Sequence, residues 1–262
     1  MLMYNGPDTS VITDAPWREH YETLDTERVV YLDHATTSYP RAPGVLPAMT
    51  RILANPHGSP GRAARSTCIS PDAIVDEVRA QVASFFGMST PRRVIFTSGS
   101  THALNLALKG FLAPGDHVVA TCFEHNAVLR PLMQLQRAGV KVTIVRRPIP
   151  DRGLVDAVVR EFRPETKLVV VNHASNVCGT ILPVEDIGAA ARAQDIRVLV
   201  DASQTAGHVP IDLGTLPVDM LAFSAHKGPL GPPGVGCLLV ADESIELTPL
   251  VMGGTVARPA RT

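Results

Sequence analysis

The chain has 262 residues, 45% hydrophobic and 19% charged, with 24 basic residues against 25 acidic ones for a formal net charge of -1. Such a chain can bury a large core without disulfides or metals, and its balanced charge excludes nucleic acid as a partner held by phosphate neutralisation. Its longest apolar stretches, such as 168–171 and 237–241, fall far short of the roughly 20 residues a membrane-spanning helix needs.

Residues 1–28 are polar and irregular, carry Pro7 and Pro16, and read as an extension. They lack a basic start followed by an apolar block, so no secretory signal is expected and the cytoplasm is the default location. From Val29 onward, short β-branched apolar runs alternate with stretches of helical apolar spacing, separated by Gly or Pro. Helices are predicted near 43–54, 72–86, 101–110, 126–138, 153–162 and 184–194. Strands are predicted at 94–97, 117–121, 141–145, 167–172, 197–201, 220–224 and 235–240. Runs such as KLVVV and RVLVD are continuously apolar, as strands covered by helices on both faces must be. The expected architecture is α/β with a mostly parallel sheet.

In such sheets ligands bind beyond the carboxyl ends of the strands. Those ends carry Thr97 to Thr101, Glu124-His125-Asn126, Asn172 to Asn176, Asp201 to Gln204 and Ser224 to Lys227. The segment FTSGSTHALNLALKG sets a small-residue turn before an amphipathic helix, so Ser100 and Thr101 would face an anion; plain helix caps are an equally good reading of both. No Gly-Lys-Ser/Thr follows, so the turn is not a nucleoside-triphosphate loop. Asp201 ends a buried strand, where its carboxylate needs a cationic or N–H partner such as a protonated pyridine nitrogen; alone, a turn cap is the simpler reading. Lys227 sits between a buried strand and the rigid turn GPLGPPG. As an isolated residue it would read as a surface lysine, but four other polar strand ends point the same way.

YLDHATTSYP, NPHGSPGR, FTSGSTHALNLALKG, EHNAVLRP, VNHASNVCGT, VLVDASQTAGHVPIDL and DMLAFSAHKGPLGPPGVG, in this order, closely resemble the class V pyridoxal-phosphate enzymes, and within them the cysteine desulfurases. The resemblance runs from about Val29 to Thr255. It implies the type I pyridoxal-phosphate transferase fold: a large domain with a mainly parallel sheet flanked by helices, plus a small C-terminal domain, working as a homodimer. On this reading 1–28 is an N-terminal extension and 29–245 the cofactor-binding large domain, with 29–90 its N-terminal segment. Residues 246–262 begin a C-terminal region.

Carried over by motif, Lys227 resembles the Schiff-base lysine. Asp201 would pair with the pyridinium nitrogen, and His125 would stack on the ring and serve proton transfer. Asn176 and Gln204 would hydrogen-bond the cofactor's phenolic oxygen; Ser100, Thr101, Ser224 and His226 would hold its phosphate. The implied reaction converts L-cysteine to L-alanine and passes sulfur to an acceptor thiol, with a sulfur-acceptor protein as a candidate partner. Aminotransfer and elimination share the same cofactor chemistry and remain alternatives, as does a catalytically inactive chain that only binds cofactor or dimerises.

The family's sulfur-accepting cysteine and substrate-carboxylate arginine lie in the C-terminal part, and the chain stops before either, so a C-terminally truncated protein is expected. Gly253 to Thr255 resembles the segment that reaches a neighbouring subunit's phosphate. Cys68, Cys122, Cys178 and Cys237 lie more than fifty residues apart, without the paired spacing of zinc or redox sites. Cys178 and Cys122 are the nearest substitutes for the nucleophile, but as strand-end cysteines they are expected to be small buried hydrophobes without freedom to swing. His34 and His102 stand where the family more often has asparagine and glutamate. No histidine pair has the spacing of a zinc site, so no metal is expected.

Overall fold

The computed structural model describes residues 30–55, 70–146 and 152–252. The extension at 1–28, Cys68, most of NPHGSPGR and the glycines of 253–255 lie outside the described residues. The chain divides into two units, 1–33 and 34–262, and the fold described is that of the second.

The regular elements are α1 (Val45–Leu53), α2 (Pro71–Phe85), β1 (Val94–Thr97), α3 (Ser100–Phe111), β2 (His117–Thr121), α4 (Asn126–Arg137), β3 (Lys141–Val145), α5 (Arg152–Val159), β4 (Thr166–Asn172), α6 (Val184–Arg192), β5 (Arg197–Asp201), β6 (Met220–Ser224) and β7 (Gly236–Val240). Each predicted element is found, with no end moved by more than three residues and β1, β2, β3, β5 and β6 at the predicted bounds. The largest change is at α5, expected to reach 162. Its final turn instead closes through Glu161 N–H to Val158 O and Phe162 N–H to Val159 O, the tighter i→i+3 pattern that ends many helices.

The sheet runs β1-β7-β6-β5-β4-β2-β3. β2–β3, β2–β4, β4–β5 and β5–β6 pair in parallel, and β7 is antiparallel to both β1 and β6. Only β7 is reversed: it follows β6 after the connection 225–235 and returns alongside it, whereas the chain crosses back through helices between β2, β3, β4 and β5 and through the helix-free segment 202–219 between β5 and β6.

Strand alternation divides the core in two. Val169, Val171, Val198, Val200, Leu221 and Phe223 face one layer with Leu154, Val158, Ile187 and Ala191 of α5 and α6. Leu168, Val170, Leu199, Met220 and Ala222 face the other, with Leu104, Leu108, Val128 and Leu132 of α3 and α4. Both faces of β4 to β6 are therefore dry, which is why these strands are unbroken apolar runs. Burying each Leu or Val side chain contributes about 1.5–3 kcal/mol.

From β2 the chain passes to β3 on one side, and from β4 it passes to β5 on the other. The crevice between β2 and β4 is thus the switch point at which open α/β sheets place their ligands.

Candidate active site

The carboxyl ends of β2, β4, β5 and β6 and the turn before α3 surround one cavity of about 480 Å³. Each residue given a catalytic or cofactor-holding role from the sequence lies on its wall: Ser100 and Thr101 at the start of α3, His125 after β2, Asn176 after β4, Asp201 and Gln204 at and after β5, and Ser224, His226 and Lys227 at and after β6. Asn172, Ser203, Ser98, His102, Asn105 and Leu250 line it too. His34 is not among the lining residues.

At one end, Gly99 precedes α3 with φ +144°, a conformation that favours glycine, and no side chain caps the helix. Ser100 N–H donates to Ser224 Oγ (2.8 Å), and the Ser224 hydroxyl donates to Ser100 Oγ (3.0 Å). The next N–H groups of the first turn have no partner within the helix, and the helix dipole favours an anion there. Gly236 of β7 backs this turn: a Cβ on it would stand 2.6 Å from Gly99 Cα and 2.6 Å from Phe223 O. Gly236→Ala is expected to lower stability by about 1–3 kcal/mol through overpacking and to weaken binding of phosphate-bearing ligands. Urea unfolding and a phosphate-ester titration check both effects.

At the other end stands Asp201, 3% exposed. Its Oδ1 accepts from Ser203 N–H (3.0 Å) and from the Ser203 hydroxyl. Burial pushes this carboxyl up, against the Ser203 donors and the electrostatic influence of Lys227 and His125. Burial likewise pulls the Lys227 amine below the ordinary lysine range, with Asp201 opposing. Lys227 Nζ has no hydrogen-bond partner among the described residues. This amine and this carboxyl influence each other electrostatically and line one cavity.

His125 is the N-cap of α4, with Nδ1 accepting from Ala127 N–H at 3.1 Å. The neutral ring therefore carries its proton on Nε2. Gln204 Nε2 donates to Ala35 O at 2.9 Å, leaving one further N–H for a ligand. His226 Nδ1 lies 2.9 Å from Thr37 Oγ1, and burial lowers the pKa of its ring, as do Lys227 and Arg41.

Sequence reasoning passed over two groups here. Asn172 pairs in register with Asp201, and its Nδ2 donates to Phe123 O (3.0 Å). Glu124 Oε1 accepts from Thr121 Oγ1 (2.7 Å) and Asn172 N–H (2.9 Å), tying the ends of β2 and β4 beneath the site. Both stand at strand ends, which was the available signal, but their roles depend on neighbours about 50 residues away in sequence.

The cysteines differ from expectation. Among the described residues, Cys122 and Cys178 are exposed and Cys237 is buried. Cys178 lies in a turn after β4, outside the cavity wall, because the bridge Ala174–Ile181 closes the chain into a loop that projects Val177 and Cys178 outward. Hydrogen bonds with Ser175 and Thr180 pull its thiol down to about 7. Among the described residues no cluster of His, Cys, Asp and Glu could hold a metal ion, and no helix is long and apolar enough to cross a membrane.

The donor set fits pyridoxal 5'-phosphate: an uncapped helix start for an anion, an unpartnered amine for an aldehyde, and a buried carboxylate for a protonated ring nitrogen. The sheet order matches the fold of the class V aminotransferases, and the chain belongs to the aminotransferase class V family, whose model matches residues 30–261. It is 35% identical over 241 residues to the cysteine desulfurase IscS of Dictyoglomus turgidum, covering 87% of this chain and 58% of that protein. Among solved structures it is similar to the apo cysteine desulfurase of Thermococcus onnurineus NA1, with TM-score 0.76, 31% identity, and 87% of this chain and 57% of that one covered. It is also similar to SspA in complex with cysteine, with TM-score 0.73, 32% identity, and 86% and 65% covered. The chain thus spans a little over half the length of the relatives it matches.

Proposed function

We propose that the chain binds pyridoxal 5'-phosphate at Lys227 and acts as a cysteine desulfurase, converting L-cysteine and an acceptor thiol to L-alanine and a persulfide. The observation that carries this reading is the pairing of an unpartnered, partly buried amine with a buried carboxylate in one cavity at the switch point of the sheet. Similarity to cysteine desulfurases, and to a structure that holds cysteine, supports the choice of substrate.

The bound group supplies an electron sink for the pair released at the substrate's α-carbon. The chain's own residues set the conditions for that chemistry. Asp201, held by Ser203, would keep a ring nitrogen protonated. Lys227, its amine made less basic by burial, is present as the nucleophilic free base in a larger fraction than a surface lysine. His125 presents a proton on Nε2 at the cavity wall, placed by its cap bond to Ala127. Ser100, Thr101, Ser224 and His226 would hold the phosphate; Asn176 and Gln204 would reach the phenolic oxygen. The same reading takes 29–245 as the cofactor-binding domain, with a C-terminal region from 246, in a cytoplasmic homodimer, with sulfur passed to a thiol on an acceptor protein.

Incubation of the cofactor-loaded chain with L-cysteine and a thiol reductant is the test. Alanine and sulfide are expected in equal amounts. Pyruvate in place of alanine would move the reaction to elimination, and a keto acid without sulfide would move it to aminotransfer. Cofactor attachment without any product would reduce the function to binding.

A further inference from the structure

The loop that carries Lys227 is held from two sides. On one side, backbone meets backbone: a Cβ on Gly228 would lie 2.1 Å from Ala206 O, and one on Gly207 would lie 2.6 Å from the Gly228 carbonyl carbon. Within the loop, Leu230 N–H donates to Lys227 O (2.9 Å) and Gly231 N–H to Ala225 O (2.7 Å). On the other side lies a segment almost two hundred residues earlier in the chain. Ser38 N–H (2.9 Å), Thr37 Oγ1–H (3.2 Å) and Arg41 Nη1–H (2.8 Å) all donate to the carbonyl oxygen of His226, and Ala42 N–H donates to Leu230 O (3.1 Å). Three donors on one carbonyl exceed what satisfying its lone pairs requires, and the carbonyl they hold belongs to the residue directly before Lys227.

Arg41 does more than add a donor. Its Nη2 also donates to Thr37 Oγ1 at 2.9 Å, so the planar guanidinium bridges the strap and the loop with two N–H groups in fixed geometry, which an ammonium cannot copy. The charge of Arg41 bears on the His226 ring and is not among the influences on the Lys227 amine, which are burial and Asp201. Its action on Lys227 is therefore geometric.

We propose that Arg41 is a positioning residue for Lys227: by gripping the His226 carbonyl together with Thr37 and Ser38, it sets where the lysine amine stands in the cavity. The inference rests on Lys227 being the cofactor-bonding residue, as in the function proposed above. It extends that reading to a segment, 37–42, that holds no residue of the cavity wall.

The test uses the purified full chain as wild type, Arg41→Met, Arg41→Lys and Lys227→Ala. Each is mixed with pyridoxal 5'-phosphate, reduced with borohydride at successive times and digested, and mass spectrometry reads the fraction of Lys227 that carries the added group. In parallel, affinity is measured for pyridoxine 5'-phosphate, which offers the same phosphate and ring but has an alcohol in place of the aldehyde. Both Arg41 variants are expected to label Lys227 about tenfold to a hundredfold more slowly, the cost of an ångström-scale misplacement, while pyridoxine 5'-phosphate affinity and the thermal midpoint stay close to wild type. Arg41→Lys keeps the charge and the aliphatic stem, so it separates loss of the fork from loss of charge and stands in if Arg41→Met fails to fold. Labelling at the wild-type rate in the folded variants would overturn the proposal. So would an equal loss of pyridoxine 5'-phosphate affinity, which would place the action of Arg41 at the anion end through His226. Wild-type protein labelled at a lysine other than Lys227 would overturn the proposed function first, with Lys227→Ala as the blank that identifies that case.

Discussion

Lys227→Ala is expected to abolish covalent attachment of pyridoxal 5'-phosphate and to lower turnover of L-cysteine by at least about a thousandfold, the scale at which removal of a covalent nucleophile is felt. The physical reason is local. Lys227 is the lysine of the cavity wall, and its amine is unpartnered and made less basic by burial. Alanine at this position leaves the anion end formed by α3 and Ser224 intact, so noncovalent binding of the phosphate should survive. Absorption of the lysine-bound cofactor in the near-visible, followed with cysteine turnover, checks the prediction. A variant that keeps both the band and the activity would remove Lys227 from the mechanism.

The second large effect concerns stability and pH. Glu124 is buried, its Oε1 is held by Thr121 and Asn172, and its Oε2 is buried with no hydrogen-bond partner. Burial raises this carboxyl from 4.5 to about 8, with the two Oε1 donors opposing and Asp201 adding to the rise. Between those two values the folded chain holds a proton that the unfolded chain has released, so unfolding stability falls as pH rises. The stabilisation is fully present below about 4.5 and is lost as pH climbs through about 8. At most it amounts to about 5 kcal/mol, at 1.36 kcal/mol for each pH unit of separation. Glu124→Gln keeps the shape and the Oε1 acceptor but cannot titrate. Urea unfolding from pH 5 to 8 should therefore show a steeper decline in wild type than in the variant. Equal slopes would mean that Glu124 does not hold the proton. Asp219, whose carboxyl burial also raises, contributes in the same direction to both proteins and cancels in the comparison.

Much of this site was legible before any coordinates. Ser100, Asp201, Ser224 and Lys227 each sit at the end of an apolar run or the start of a periodic one, and parallel topology alone brings such ends to one rim. The continuous runs of β4, β5 and β6 likewise announced strands covered on both faces. Other features carried no local signal. The reversal of β7 depends on which neighbours it finds, and a short apolar run looks the same in either direction. Cys178 was expected to be buried because strand-end cysteines usually pack as hydrophobes, yet the bridge at Ala174–Ile181 turns the loop outward. The shift at Glu124 arises from packing around it, and packing is not written in the residues EHN.

From sequence alone came the order of strands and helices, the rim where chemistry gathers, and the lysine and aspartate expected to face each other across it. Periodicity and strand-end position are local properties, and they survive folding unchanged. Tertiary structure alone decided which carboxylates are dry, which thiols meet solvent, and that Arg41 closes on the His226 carbonyl from 185 residues away. Burial and hydrogen-bond partnership are properties of pairs distant in the chain, so no reading of either member by itself contains them.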